Sequence, residues 1–227
     1  MKLVNFRFDI GADGVALLTW DMPERSMNVI TPQVMDELDA VVDAVAADPA
    51  IKGCLIASGK NAFSGGADLS MLQQGAAEYA RTQKTEGEEA AKKLFFDTSR
   101  RLSQIYRKLE TCGKPFAVAI QGVCLGGAFE LALACHYRVM ADDDKTKVGL
   151  PEIKVGLFPG AGGTQRVARL MQTGDALQFL LIAADHHNLR ALTTESNCRG
   201  LTDAGARAGD NGHCAGQPAC RHAPPPG

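Results

Sequence analysis

The chain has 227 residues, 45% of them hydrophobic, and a formal net charge of -2 at pH 7. These values predict one substantial globular core, and they give no sign of general attraction to nucleic acid or to an anionic membrane. The apolar runs are too short to span a bilayer, and the N-terminus lacks the apolar core of a secretion signal. We therefore expect a cytoplasmic protein.

The N-terminal region predicts a β-hairpin followed by a helix. Residues 3–9 and 14–20 alternate in the manner of strands, and Asp13-Gly14 between them supplies turn chemistry. Apolar residues then recur with helical period over residues 32–47, and a proline occupies the first helical position. This segment predicts an amphipathic helix.

The middle of the chain predicts two buried strands separated by a charged helical stretch. The strands are expected over residues 52–58 and 115–121, where small and branched apolar residues dominate. Between them, residues 69–111 favour helix, with a break near Gly75 or Gly87.

Strands and helices continue to alternate towards residue 171. The predicted elements are a helix over 128–135, a strand over 137–141, a strand that ends near Glu152 and a helix over 165–171. Such alternation is typical of an α/β fold with a mostly covered sheet.

The composition changes near residue 182. Residues 182–227 contain no aromatic side chain except histidine and few large aliphatic ones. We expect this tail to be disordered, because it can bury too little apolar surface to offset its ordering entropy. A metal site built on its cysteines and histidines is the alternative, although their spacing fits no familiar ligand set; the residues concerned are Cys198, His213, Cys214, Cys220 and His222.

Two short glycine-rich segments offer backbone amides to an anion. Residues 64–68 follow a predicted strand, and residues 125–128 open the predicted helix that begins at Ala128. Free N–H groups at a helix N-terminus attract negative charge, so two such loops facing one point could stabilise an oxyanion. Tight turns and close helix packing explain each loop equally simply when it is taken alone.

Glu130 and Glu152 are the candidate acid–base groups. Glu130 is the sole charge in an apolar helix, where a carboxylate is costly to bury unless something uses or satisfies it. A favourable interaction with the helix dipole is the simpler alternative for Glu130. Glu152 follows Pro151 before a loop rich in glycine and proline and is unremarkable by itself.

Three segments together carry a family resemblance. Residues 63–69 (FSGGADL), 121–132 (QGVCLGGAFELA) and 150–165 (LPEIKVGLFPGAGGTQ) resemble the enoyl-CoA hydratase/isomerase, or crotonase, family in order and spacing. The resemblance extends over residues 3–181 and is greatest to the N-terminal hydratase part of bacterial multifunctional fatty-acid oxidation proteins. It implies a crotonase-like (ClpP/crotonase) α/β fold, a spiral of β-β-α units, over residues 1–181.

The resemblance also implies a role for individual residues. Ala67 and Gly127 match the backbone donors that hold the thioester oxygen, and Glu130 and Glu152 match the paired catalytic glutamates. Coenzyme A is part of the substrate, so neither a separate cofactor nor a metal is expected. Further substrate contacts are implied for Met27, Ser64, Gly65, Gly66, Asp68, Leu69, Gly126 and Pro151.

The implied reaction is hydration of a 2-enoyl-CoA to a 3-hydroxyacyl-CoA in fatty-acid β-oxidation, with 3,2-isomerisation as a second possibility. Relatives of this kind form homo-oligomers or complexes with a thiolase. Residues 182–227 do not resemble the helical region that closes the acyl pocket in the family, which suggests an aberrant ending. The alternative is therefore an inactive fragment that only binds acyl-CoA.

Three other polar features have simpler explanations than a role in catalysis. His136 is expected to be structural, and the acidic run 142–145 to be a solvated turn, because it lacks the spacing of a calcium loop. A basic group on the predicted helix could help to attract the phosphates of coenzyme A, and an exposed helix face explains it about as well; it consists of Arg100, Arg101, Arg107 and Lys108.

Overall fold

The computed structural model describes residues 1–181, and the predicted tail with its cysteines and histidines lies outside the described residues. Seven strands and six helices are described there, together with a 3-10 turn over Glu152–Val155. The strands are β1 (Phe6–Ile10), β2 (Val15–Trp20), β3 (Gly53–Ser58), β4 (Phe116–Ile120), β5 (Val123–Leu125), β6 (Tyr137–Met140) and β7 (Lys147–Gly149). The helices are α1 (Pro32–Ala47), α2 (Leu69–Glu86), α3 (Glu88–Thr111), α4 (Gly127–Ala134), α5 (Gly163–Leu170) and α6 (Thr173–Leu181).

Five strands form the main sheet, in the order β1-β2-β3-β4-β6. Only the β1–β2 hairpin is antiparallel, and the other pairs are parallel, joined by helical crossovers. A second sheet of two parallel strands, β5 and β7, branches off just after β4. The short strand β5 leads directly into α4, so this small sheet fixes where α4 begins.

Helix α1 illustrates how local sequence and core packing agree. Its N-cap is Thr31, whose side-chain oxygen accepts a hydrogen bond of 3.2 Å from the backbone N–H of Val34. Its apolar stripe, which includes Leu38 and Val41, is buried in the main core. The predicted bounds 32–47 are confirmed.

The remaining predicted elements are confirmed with small shifts, and three details differ. The break in the helical stretch falls at Gly87, whose φ of +95° ends α2, rather than at Gly75. Strand β5 is absent from the predicted elements, because three residues carry too little pattern to predict a strand. The predicted strand ending near Glu152 stops at Gly149, and Glu152 begins the 3-10 turn instead.

His136 and the acidic run have structural roles. The Nδ1 atom of His136 accepts a hydrogen bond of 3.1 Å from the backbone N–H of Phe116, which ties β6 to β4. One oxygen of Asp143 accepts from the backbone N–H groups of Lys145 and Thr146 and closes a turn. Among residues 1–181, no cluster of side chains suits a metal ion. Nor does any helix in that range combine the length and apolar character needed to cross a membrane.

Candidate active site

The segment 64–67 lies alongside strand β5 as an extra edge. The N–H of Ser64 donates to the carbonyl of Val123 at 2.9 Å, and the N–H of Leu125 donates to the carbonyl of Ser64 at 3.1 Å. Ser64 is fully buried, and its hydroxyl accepts from the N–H of Gly66 at 3.2 Å. Ser64 therefore helps to shape this loop, and its implied substrate contact stays a prediction.

The two glycine-rich loops touch at Gly66 and Gly126. A Cβ atom on Gly66 would lie 2.8 Å from the carbonyl oxygen of Leu125 and 3.6 Å from the Cα of Gly126. Both glycines also have positive φ, +91° and +56° respectively. Only glycine permits this contact in this conformation, because any side chain would push the loops apart.

Ala67 and Gly127, each one residue further along, both lie beside Ile30. The N–H of Ile30 donates to Gly66 at 2.8 Å, and its carbonyl accepts from the N–H of Asp68 at 3.0 Å. The Ile30 side chain lies 2.9 Å from the position of a Cβ on Gly127. Within residues 1–181 neither the N–H of Ala67 nor that of Gly127, which opens α4, donates a hydrogen bond. Both backbone donors are thus unengaged, each one residue beyond a glycine at which the two loops touch.

Asn28 holds the first of these loops and received no role of its own in the sequence analysis. Its amide nitrogen donates to the carbonyl oxygens of Trp20 and Phe63 and to the Ser58 hydroxyl, at 2.9, 3.1 and 3.0 Å. Its backbone carbonyl accepts from the N–H of Gly65 at 3.1 Å. A fully buried asparagine satisfied in this way fixes the path of the loop. The sequence signal that could have indicated this role is a polar residue, Asn28, between the apolar strand β2 and the apolar stripe of α1.

Glu130 is buried in the first turn of α4 and is held from the opposite side by the start of α5. Its Oε1 atom accepts from the backbone N–H groups of Ala161 and Gly163 at 2.9 and 2.8 Å. Burial raises the pKa of Glu130, and these two bonds together with the charge of Arg166 oppose that rise. Its Oε2 atom accepts no hydrogen bond from residues 1–181 and lies 4.0 Å from the position of a Cβ on Gly127.

Glu152 approaches the same corner from the 3-10 turn. Its Oε1 atom lies 3.1 Å from the position of a Cβ on Gly126. Its Oε2 atom is buried without a hydrogen-bond partner in the described chain. Burial raises the pKa of Glu152, and the neighbouring Glu130 raises it further. The two carboxyl groups thus flank Gly126 and Gly127 in different electrostatic environments.

Tyr106 supports this corner from α3. Its hydroxyl donates to the carbonyl of Gly127 at 2.7 Å, and the ring is fully buried. Burial holds the pKa of Tyr106 well above its ordinary value, so this phenol remains a hydrogen-bond donor. Neither Tyr106 nor the amides of Ala161 and Gly163 could be assigned from sequence.

The other residues implied as substrate contacts lie near the first loop or immediately before Glu152. Met27 meets Gly65, with its sulfur 2.9 Å from the position of a Cβ on that glycine. Asp68 caps α2 through Ser70 and pairs with Arg25 at 3.0 Å; the hydrogen bonds from Ser70, and after them the charge of Arg25, lower the pKa of Asp68. Leu69 is exposed at the start of α2, and Pro151 immediately precedes the 3-10 turn that begins at Glu152.

Comparisons with known proteins point to one family. Residues 11–193 match the family described as enoyl-CoA hydratase/isomerase, a span that continues past the predicted boundary at residue 181. A fatty acid oxidation complex subunit alpha from Shewanella amazonensis is 44% identical over 170 residues, which are 74% of this chain and 22% of that protein. The same subunit from Shewanella sp. W3-18-1 is 41% identical over 181 residues, 79% of this chain and 24% of the relative. The chain thus spans less than a quarter of the length of these relatives.

The solved structures share the fold. An enoyl-CoA hydratase from Geobacillus kaustophilus superimposes with a TM-score of 0.70 at 25% identity, covering 91% of this chain and 75% of that one. An enoyl-CoA hydratase from Shewanella pealeana gives a TM-score of 0.69 at 20% identity, covering 90% and 74% of the two chains. The crotonase-like α/β fold and the resemblance to fatty-acid oxidation proteins are therefore confirmed. The chain belongs to the enoyl-CoA hydratase/isomerase family.

Proposed function

We propose that this chain hydrates 2-enoyl-CoA thioesters to 3-hydroxyacyl-CoA in fatty-acid β-oxidation. The observation that carries the proposal is the corner at Gly126 and Gly127. The N–H of Gly127 is unengaged there, and carboxyl oxygens of Glu152 and Glu130 lie 3.1 and 4.0 Å from the Cβ positions of Gly126 and Gly127, respectively. An α,β-unsaturated thioester requires such a set: donors for its oxygen, a base and an acid.

The backbone donors act on the thioester oxygen. Hydrogen bonds from the N–H groups of Ala67 and Gly127 draw electrons towards that oxygen and make the β-carbon electrophilic. Attack at the β-carbon converts the thioester to an enolate whose negative charge rests on the same oxygen. Each well-placed donor of this kind is worth about 3 kcal/mol of barrier.

The contrast between the carboxyl groups supports one division of the two roles. Burial raises the pKa of Glu130, but two backbone donors and the charge of Arg166 oppose that rise, so we propose Glu130 as the base that is ionised at rest. Glu152 is the protonated acid, because burial and the charge of Glu130 both favour its neutral form. Two carboxyl groups with separated pKa values can divide general base and general acid catalysis in this way.

The proton balance follows from these roles. Glu130 takes one proton from water as the water oxygen bonds to the β-carbon, and Glu152 delivers its proton to the α-carbon. One water is added across the double bond, and the charges of the two glutamates are exchanged. Transfer of one proton from Glu130 to Glu152 restores the starting state.

Isomerisation of a 3-enoyl-CoA is a second reaction open to the same groups. A carboxylate would remove a proton from the α-carbon, the two backbone donors would hold the resulting dienolate, and a carboxylic acid would return a proton to the γ-carbon. The presence of two carboxyl groups at one corner favours this addition to the proposal.

The substrate and assembly partners follow from the same relatives. We propose that the segment around Met27 and residues 65–69 contacts the coenzyme A portion, mainly through backbone groups. The Shewanella relatives are named as subunits of a fatty acid oxidation complex. Association with further copies or with a thiolase, in the cytoplasm, is proposed for this chain on that basis.

Hydration of crotonyl-CoA by the full chain tests the proposal. Loss of the absorbance of the conjugated thioester measures turnover, and the double variant Glu130→Gln/Glu152→Gln is the matched control with unchanged side-chain volumes. We expect turnover by the wild-type chain and none by the control. Binding of crotonyl-CoA without turnover would replace the proposal with the binding-only alternative.

A further inference from the structure

A buried ion pair lies directly behind the donors that hold Glu130. Arg166, on α5, is 8% exposed and has two nitrogen–oxygen contacts with Glu110 on α3. Its Nε atom lies 3.2 Å from Oε1 of Glu110, and its Nη2 atom lies 3.4 Å from Oε2. The guanidinium is therefore fixed in a forked geometry against a helix other than its own.

The remaining arm of this guanidinium reaches the loop before α5. The Nη1 atom of Arg166 donates to the carbonyl of Ala161 at 2.8 Å. The N–H of the same residue donates to Oε1 of Glu130 at 2.9 Å. Arg166 and Glu130 thus bind the two polar groups of a single residue, Ala161, and a displacement of Arg166 would move the donor to Glu130.

The loop has little other means of holding this conformation. Gly162 has a φ of +91°, and Gly160 has no heavy atom within 4 Å of the position of its Cβ. A glycine-rich loop has many accessible conformations when its contacts are lost. Besides the two bonds to Glu130 itself, the Arg166 bond to Ala161 is the side-chain hydrogen bond that restricts the backbone of residues 160–163 within the described part of the chain.

We propose that Arg166, anchored by Glu110, is a positioning residue that holds the Ala161 peptide so that one oxygen of Glu130 is fixed and the other faces the reacting carbons. This inference rests on the proposed function for its catalytic consequence, whereas its structural part concerns Glu130 alone. The fixed oxygen is Oε1, and Oε2 is the one beside Gly127.

Arg166 also supplies positive charge to a site that is otherwise acidic or neutral. The groups around Glu130 are Glu152 on the 3-10 turn, the neutral Tyr106 on α3, and Arg166 on α5 with its counter-ion Glu110. Arg166 lowers the pKa of Glu130, so removing this charge moves that pKa upwards. A residue that merely packed α5 against α3 would leave it unchanged.

The test compares charge-retaining and neutral variants of Arg166. We expect Arg166→Met and Arg166→Gln to lower kcat by about 10- to 100-fold with little change in KM, because the base is misplaced rather than the substrate. The acidic limb of kcat/KM should move to higher pH in both neutral variants. Arg166→Lys keeps the positive charge and should keep the acidic limb of kcat/KM at the wild-type pH. Arg166→Gln provides the neutral variant if Arg166→Met fails to fold.

Arg107→Met is the matched control. Arg107 also pairs with Glu110, at 2.7 Å, but it is exposed and makes no bond to Ala161. Loss of an exposed pair of this kind has little effect on stability. We expect its kcat and pH profile to match those of the wild-type chain.

A readout independent of turnover separates the two proposals. Titration of carboxyl-labelled glutamate by ¹³C NMR, with the Glu130 signal assigned through Glu130→Gln, measures the pKa of Glu130 directly. A pKa that is higher in the neutral variants than in Arg166→Lys supports the inference even if crotonyl-CoA is not hydrated. Equal Glu130 pKa values in Arg166→Lys and Arg166→Gln would overturn it.

Discussion

The two carboxyl groups of the site differ in how the fold supports them. Glu130 lies on a regular helix and receives two backbone hydrogen bonds from the start of another helix. Glu152 lies on a single 3-10 turn, and one of its oxygens is buried without any partner among residues 1–181. Burial raises the pKa of both carboxyl groups, but two backbone donors and the charge of Arg166 oppose the rise at Glu130. At Glu152 only its own backbone N–H opposes the rise, and the charge of Glu130 adds to it. Such an asymmetry suits acid–base chemistry at one corner.

The largest expected effect comes from removing either carboxyl group separately. Glu130→Gln and Glu152→Gln should each lower kcat by about 100- to 10,000-fold, the usual contribution of a positioned acid or base. Their residual activities should differ in pH dependence. Glu130→Gln loses the acidic limb of kcat/KM, which reports ionisation of the base, and Glu152→Gln loses the basic limb.

Residual hydration of crotonyl-CoA between pH 4 and pH 10 gives both profiles. Glu78→Gln is the control, because Glu78 is an exposed glutamate on α2 far along the chain from either carboxyl group. If Glu130→Gln instead lost the basic limb, the two roles would be exchanged. If both variants retained both limbs, neither glutamate would be the titrating group.

A smaller effect is expected from disturbing the support of Glu130 without altering its carboxyl group. A Cβ on Gly163 would lie 2.8 Å from Cγ and 2.9 Å from Oε1 of Glu130. Gly163→Ala should therefore displace the base and lower kcat by about 100-fold, the cost of a misplacement near 1 Å. The measurement is kcat and KM with crotonyl-CoA.

Gly160→Ala is the matched control within the same loop. No heavy atom lies within 4 Å of the position of its Cβ, and its φ is not in the left-handed region. Activity close to that of the wild-type chain is expected. If Gly163→Ala left kcat unchanged, the reaction would tolerate a displaced Glu130. The backbone hydrogen bonds from Ala161 and Gly163, which support Glu130 and not Glu152, would then not matter for catalysis.

Much of this fold was predictable because its signals are local. Helix α1 follows from a capping threonine, a proline and an apolar stripe, and Gly126 and Gly127 mark the start of α4 through their lack of side chains. The positions of Glu130 and Glu152 came from family resemblance. That resemblance identified candidates but did not show which of them is held by backbone donors.

The unpredicted features depend on contacts between distant segments. Strand β5 has only three residues, and it exists because it pairs with residues 147–149 and with the Ser64 segment. The bond between Arg166 and Ala161 spans few residues, yet it requires the left-handed Gly162 and the anchor on Glu110. No periodic pattern in the sequence predicts these contacts, or the burial of one Glu152 oxygen without a hydrogen-bond partner among residues 1–181.

The smallest expected effect is a pH-dependent change in stability at Glu152. Burial raises the folded-state pKa of Glu152 above its unfolded value, so the folded state binds the proton more tightly. When the pH rises above the pKa of Glu152 in the unfolded chain, the unfolded chain releases that proton more readily than the folded chain does. The free energy of unfolding of the wild-type chain therefore falls. Glu152→Gln cannot ionise and escapes this loss.

The variant should therefore be more stable than the wild-type chain at pH 7 and nearly equal to it at pH 4. An advantage of about 1 kcal/mol would raise Tm by ~2–4 °C in a domain of this size. Thermal unfolding at both pH values measures it, with Glu78→Gln as the control for loss of one exposed charge. A variant less stable than wild type at pH 7 would mean that the Glu152 carboxylate is stabilised in the fold. Glu152 would then be ionised at rest, and the proton for the α-carbon would have to come from the water held by Glu130.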